Sequence, residues 1–81
     1  MNNELMNELH LVPASFEPIF LGDKTGYICM NYHGYEDGEV LTVREKNSET
    51  GIFTGRVCEV EITHIEPLFS DLILMSITLV G

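Results

Sequence analysis

The chain reads as an α+β domain that is mainly β: a small curled sheet or β-barrel of about five strands with one short helix. Three observations lead there. Strand-length runs rich in alternating apolar residues recur between Glu8 and Val80, separated by glycine-, asparagine- or proline-bearing punctuation. One segment, opening at Pro13, carries helical spacing instead. With 81 residues there is room for a single domain, residues 1–81. A domain of that size hides only about 60 to 65 per cent of its unfolded surface. So many strands in so short a chain favour a small curled sheet or barrel over a flat open sheet.

Taken in order, residues 1–7 are polar and are predicted to fray. Glu8 to Val12 is a strand with Leu9 and Leu11 on one face. Pro13 suits the first position of a helix, where its missing N–H costs nothing. Phe16, Ile19 and Phe20 then fall on one helical face. Pro18 lacks the N–H that would bond to Ala14, so the helix is expected to be two or three turns, in part 3₁₀. Gly22 closes it as a left-handed cap. Thr25 to Met30 is the second strand, with Tyr27 and Cys29 on one face and Ile28 and Met30 on the other. Asn31 to Gly38 is a loop, and Glu39 to Lys46 is the third strand. After a turn at 47–51, a fourth strand runs from about Ile52 to Ile65, with a bulge at Thr54-Gly55. Its inner face is Cys58, Val60 and Ile62; Pro67 is expected to end it. Leu72 to Val80, apolar on both faces, is the fifth strand and is placed centrally. An open edge for dimerisation is expected at the fourth and fifth strands.

Composition narrows the function. Two cysteines, Cys29 and Cys58, do not make a multi-bridge secreted framework and read as small apolar fillers. The start MNNELMNELH lacks the basic and apolar regions of a signal peptide. Ile73–Val80 is too short for a membrane span and carries Ser76 and Thr78. A cytoplasmic protein with no membrane association is expected. The net charge is −9, and Lys24, Arg44, Lys46 and Arg56 are the cations. Nucleic-acid binders present lysine and arginine to phosphates. So acidic a chain is better matched to a basic partner, including a protein that itself handles nucleic acid. The plainer reading is that acidity keeps a small domain soluble. His10, His33 and His64 have no paired spacing and the cysteines form no CxxC unit, so no metal or cofactor is called for.

The densest stretch is Gly22–Tyr35, GDKTGYICMNYHGY. It holds the three tyrosines Tyr27, Tyr32 and Tyr35, together with Cys29 and His33, and its only charges are Asp23 and Lys24. A glycine-bearing, aromatic, charge-poor segment is the kind of surface that docks a ligand or partner.

The runs LHLVPASFEPIFLGDKT, YEDGEVLTVREKNSETGIFTGR and VEITHI, with a closing apolar strand, resemble the ASCH group of PUA-like β-barrels. The likeness is to a small subgroup of unknown function found in phages and mobile elements, and it covers about residues 7–80. Glu8, Leu9, Pro13, Phe16, Gly22, Lys24, Thr25, Ile28, Asn31, Gly38, Arg44, Glu45, Thr54, Gly55 and Arg56 match its pattern. The charged cleft of that pattern is not kept. Its initial His and following Lys fall on Asn7 and His10. Its second-strand Glu falls on Tyr27 and the Arg after it on Cys29. The next Lys, Asp and Arg fall on Met30, Tyr32 and His33. The resemblance implies a cleft that binds RNA or a nucleotide. Some relatives in the wider group hydrolyse an acetylated cytidine with a Lys, a Thr and a distant Glu. Of these, Lys24 matches, the Thr falls on Tyr27, and the Glu has no counterpart. No catalytic residue is therefore assigned, since hydrolysis needs a base, a nucleophile and oxyanion donors together.

Loss of cleft charge and gain of phenols point to binding without turnover. The candidate binding residues are Lys24, Thr25, Tyr27, Asn31, Tyr32, His33, Tyr35, Glu36, Asp37 and Glu39. The tyrosines supply rigid contact area with one hydroxyl each; the carboxylates suit a basic rim. The plainer reading has Tyr27 and Tyr35 covering the mouth of the barrel and His33 solvated. The function expected is a phage or mobile-element inhibitor of a basic nucleic-acid-handling host protein, of anti-CRISPR or anti-nuclease type. RNA or modified-nucleoside binding through Lys24, Thr25, Tyr27 and Asn31 is the alternative, and a residual amidohydrolase using Lys24 the third reading.

Overall fold

The computed structural model describes residues 7–80. The segment predicted to fray, residues 1–7, lies outside them apart from Asn7, which is exposed. The elements are β1 (Glu8–Leu11), α1 (Pro13–Phe20), β2 (Gly26–Met30), β3 (Val40–Lys46), β4 (Phe53–Phe69) and β5 (Leu72–Leu79). They form one helix on a five-stranded sheet in the order β1-β3-β4-β5-β2, curled and not closed. β1 lies parallel to β3, and every other pairing is antiparallel. A parallel neighbour needs a crossover, and α1 followed by β2 supplies it.

The helix begins and ends on the expected residues. Pro13 sits in its first turn, and Val12 offers its carbonyl to the N–H groups of Ser15 and Phe16 at 3.0 and 2.9 Å. Gly22 adopts φ +80°, and the N–H groups of Asp23 and Lys24 bond the Pro18 carbonyl at 2.9 and 3.0 Å. Phe16 and Ile19 are fully buried against the sheet. With them lie Leu9 and Leu11 of β1, Leu41 and Val43 of β3, Val60 and Ile62 of β4, and Ile73, Met75 and Ile77 of β5. These are the inner faces that strand alternation predicts. Their burial, at about 25 cal/mol per Å² of apolar surface, is the main term holding so small a domain together.

Three features differ from the sequence reading. β4 does not stop before Pro67 but continues to Phe69. Beyond Ile62 it has only β5 beside it, because β3 pairs no further than Val40 with Glu61. A proline is tolerated on such a one-sided stretch. β5 offers no open edge, and β4 has an unpaired side beyond Ile62; the strands at the two ends of the sheet are β1 and β2. The sheet is open, so the barrel alternative gives way to the curled sheet. The bulge at Thr54-Gly55 is present: Arg44 faces Val57 and Lys46 faces Phe53, leaving Thr54, Gly55 and Arg56 opposite Glu45 alone. Gly55 there has φ +99°, a backbone that glycine adopts without strain.

Candidate functional site

The helix cap builds a cleft. The turn at Gly22 brings Lys24 and Thr25 to a space of about 190 Å³ that Ile19, Val60, Ile77 and Leu79 also line. A Cβ on Gly22 would meet Leu79 Cδ1 at 3.4 Å, in a conformation side chains disfavour. Lys24 and Thr25 are exposed. The Lys24 ammonium lies 5.7 Å from the centroid of the Tyr27 ring and, among the described residues, makes no ion pair. The burial that a hydrolytic base role requires of Lys24 is not there.

Tyr27 and Cys29 occupy the inner face of β2, half-buried. Burial pushes the Tyr27 hydroxyl above its ordinary pKa, with a further push from Cys29. Burial likewise raises the Cys29 and Cys58 thiols. A raised thiol holds less of the reactive thiolate, and both side chains pack against the core.

The loop from Asn31 to Glu39 is pinned at several points. The Asn31 N–H donates to the Asp71 carbonyl at 2.8 Å, and its side-chain oxygen accepts from the Tyr35 N–H at 2.8 Å. The Gly38 N–H donates to the Ile62 carbonyl, and the Ile62 N–H to that of Glu39. The Glu39 carboxylate accepts from the Glu36 N–H at 3.1 Å. Tyr35 is only 7% exposed and belongs to the core. It holds the loop down and presents no contact surface of its own; burial raises its hydroxyl pKa first, with the charge of Cys29 and Glu39 adding to it. His33 stands edge-on to Tyr35 at 5.7 Å and is exposed. Tyr32, by contrast, is 73% exposed. Glu36 and Asp37, in the same loop, are exposed, and Glu39 is half-buried.

The candidate residues thus divide into two groups. Lys24 and Thr25 form a cleft wall that Tyr27 adjoins through Lys24. Tyr32, His33, Glu36 and Asp37 form an outward-facing loop surface that Asn31, Tyr35 and Glu39 support from within. Nothing closer than β2 itself joins the two groups.

A third constellation carries much of the motif but was not paired by spacing. Glu45, 4% exposed, accepts from Thr54 Oγ1 at 2.6 Å and from Arg56 Nε at 3.2 Å, and a 3.1 Å ion pair joins its other oxygen to Arg56 Nη2. Arg56 also bonds Glu17 on α1, and its guanidinium lies 4.8 Å from the Phe20 ring and 5.3 Å from Phe16. The hydrogen bonds from Arg56 and Thr54 hold the Glu45 carboxyl below the usual carboxylate range; those from Glu45 and Glu17 push Arg56 higher. The bulge therefore serves to wrap Thr54 and Arg56 around one buried carboxylate and to clamp the helix to the sheet. Arg44-Glu45 and Thr54-Gly55-Arg56, one on each side of the turn at 47–51, are the available signal in the sequence; Glu17 carries none. Elsewhere, among the described residues, no three His, Cys, Asp or Glu side chains cluster as a metal site would require, and no helix is long and apolar enough to cross a membrane.

Fold and site together define a small mainly-β α+β domain with a structural Arg–Glu clamp, a shallow cleft and a rigid acidic loop. The chain belongs to the family described as a domain of unknown function, DUF3850, whose model matches residues 6–77. No curated protein matches it.

Proposed function

We propose that the protein is a non-catalytic binding protein, acting in the cytoplasm on a basic partner that itself handles nucleic acid. Its likeness to ASCH-type proteins of phages and mobile elements gives the sharpest form, an inhibitor of anti-CRISPR or anti-nuclease type that blocks the partner's nucleic-acid surface. The observation that carries this reading is the Asn31–Glu39 loop. Tyr32 is 73% exposed and shares this loop with the exposed Glu36 and Asp37, on a backbone tied to Asp71 and Ile62. A loop whose backbone is already tied loses less entropy on docking, and the net charge of −9 draws a basic partner from a distance. The test is affinity capture from cell lysate with and without nuclease. Capture of a nucleic-acid-handling protein should survive nuclease. Tyr32→Ala should weaken it by about thirtyfold, the range of an interface anchor, and Glu36→Lys with Asp37→Lys should abolish it. Capture that disappears with nuclease, or that ignores these changes, overturns the reading.

A specific observation favours one alternative, binding of RNA or a modified nucleoside. Lys24 and Thr25 line the cleft of about 190 Å³, with Tyr27 beside the ammonium. This reading expects a salt-sensitive gel shift with the purified protein alone that Lys24→Ala weakens and Tyr32→Ala leaves unchanged.

A further inference from the structure

β2 is an edge strand without the usual protection. Natural edges are blunted by charge, proline or bulges. β1, at the other edge, carries Glu8 and His10, bonded to each other at 2.8 Å. β2 reads GYICM, with no charge and no proline, and its register with β5 is unbroken. The direction of its free backbone groups follows from its bonds to the sheet. The Ile77 N–H donates to the Thr25 carbonyl at 2.9 Å, and the Asn31 N–H donates to the Asp71 carbonyl at 2.8 Å. Odd-numbered residues of this strand therefore turn their N–H and C=O groups toward β5. Gly26, Ile28 and Met30 turn theirs to the open side.

We propose that two copies of the chain dimerise by pairing β2 antiparallel with its equivalent about a two-fold axis through Ile28. In that register Ile28 faces Ile28 of the second copy, and Gly26 faces Met30. Each facing pair has its donors and acceptors on the same side, so each exchanges two hydrogen bonds, and the contact is self-complementary as a two-fold interface must be. Side chains match as well. Ile28 is 57% exposed and Met30 38% exposed on the outer face, so the pairing brings isoleucine against isoleucine and lays the methionine over a residue with no side chain. The lack of charge along β2 itself suits a second copy better than a basic strand, although two copies of net charge −9 repel at long range. The carboxylates nearest in sequence, Asp23 and Glu36, lie beyond both ends of the strand. A basic segment would find no counter-charge along β2, whereas two copies meet there without setting acid against acid. The proposal is independent of the binding reading above.

Five residues a side is a small contact, so the dimer is concentration-dependent, with a Kd on the order of 10 μM. Sedimentation velocity of the full chain from about 1 to 500 μM, a range chosen to bracket that Kd, should show the mass rise from 9.1 kDa to twice that. Ile28→Lys sets two ammonium groups face to face and should abolish the rise, with circular dichroism checking that the variant folds. Hydrogen exchange on the unaltered chain gives a second readout: the Ile28 and Met30 amides should gain protection as concentration increases. A mass of 9.1 kDa throughout, a dimer that Ile28→Lys leaves intact, or Ile28 and Met30 amides that ignore concentration would each overturn the proposal.

Discussion

Tyr32 and Tyr35 are three residues apart in one loop and do opposite jobs. Tyr35 is 7% exposed and its backbone N–H is held by Asn31. Tyr35→Ala should therefore cost about 3 kcal/mol in urea unfolding, the range for emptying a large aromatic site. Tyr32→Ala should stay within about 0.5 kcal/mol of the parent, as surface changes do. Glu45 gives a pH dependence whose sign follows from its lowered pKa. In the unfolded chain the carboxyl titrates at its ordinary value; in the folded chain it stays ionised to lower pH. Its contribution to stability is thus complete above the ordinary glutamate pKa and is lost as pH falls through the folded value. Arg56, pushed higher still, stays charged throughout. Urea midpoints between pH 7 and pH 3 should fall more steeply for the parent than for Glu45→Gln. Combining Glu45→Gln with Arg56→Ala should cost less than the two changes summed, since both act on one network. The thiols give a simpler check. Burial raises both Cys29 and Cys58, so their alkylation by iodoacetamide, followed by mass spectrometry at pH 8, should lag behind that of a free cysteine.

Among the elements, α1 was legible almost to the residue. Pro13, the Phe16–Ile19–Phe20 spacing and Gly22 are local signals, and a helix this short is decided by its ends. Gly22→Ala should destabilise by about 1 kcal/mol, because the left-handed conformation at φ +80° penalises a side chain; thermal denaturation would measure it. The same logic found the bulge, where a glycine interrupts an alternating run. It failed at Pro67. Proline ends a strand flanked on both sides, but this part of β4 has one neighbour, and neighbours are assigned by the whole sheet. It failed again at the edges. Two-sided apolarity placed β5 inside correctly, yet β2, whose alternation looks like any half-buried strand, lies at the rim because the chain crosses from β2 to β3 past the rest of the sheet.

At the scale of the molecule, charge and core pull against each other. A net charge of −9 on 81 residues repels itself in the compact state. Screening should relieve this, so the urea midpoint should rise as sodium chloride is added from low ionic strength toward physiological salt. A midpoint that falls would mean that attractive surface pairs such as that between Arg44 and Glu8 outweigh the repulsion. The same acidity bears on partners. Arg56 is consumed by Glu45 and Glu17, and Arg44 lies 3.8 Å from the Phe53 ring centroid, which leaves Lys24 as the cation at the cleft. One lysine is a small foothold for a phosphate backbone, which is why the proposed partner is a basic surface meeting the loop that holds Tyr32.

What the amino-acid order settled by itself was whatever depends on near neighbours: the mainly-β class, the helix and its cap, the faces of the strands and the bulge, with the net acidity following from composition alone. What only the folded sheet decided was which residues meet across it. Ten candidate positions parted into a cleft and a loop because β2 lies between them, Tyr35 sank into the core while Tyr32 stayed out, and Glu17 joined Glu45 through Arg56. Periodicity reports which way a side chain points, but exposure and pairing depend on what the rest of the chain brings opposite it.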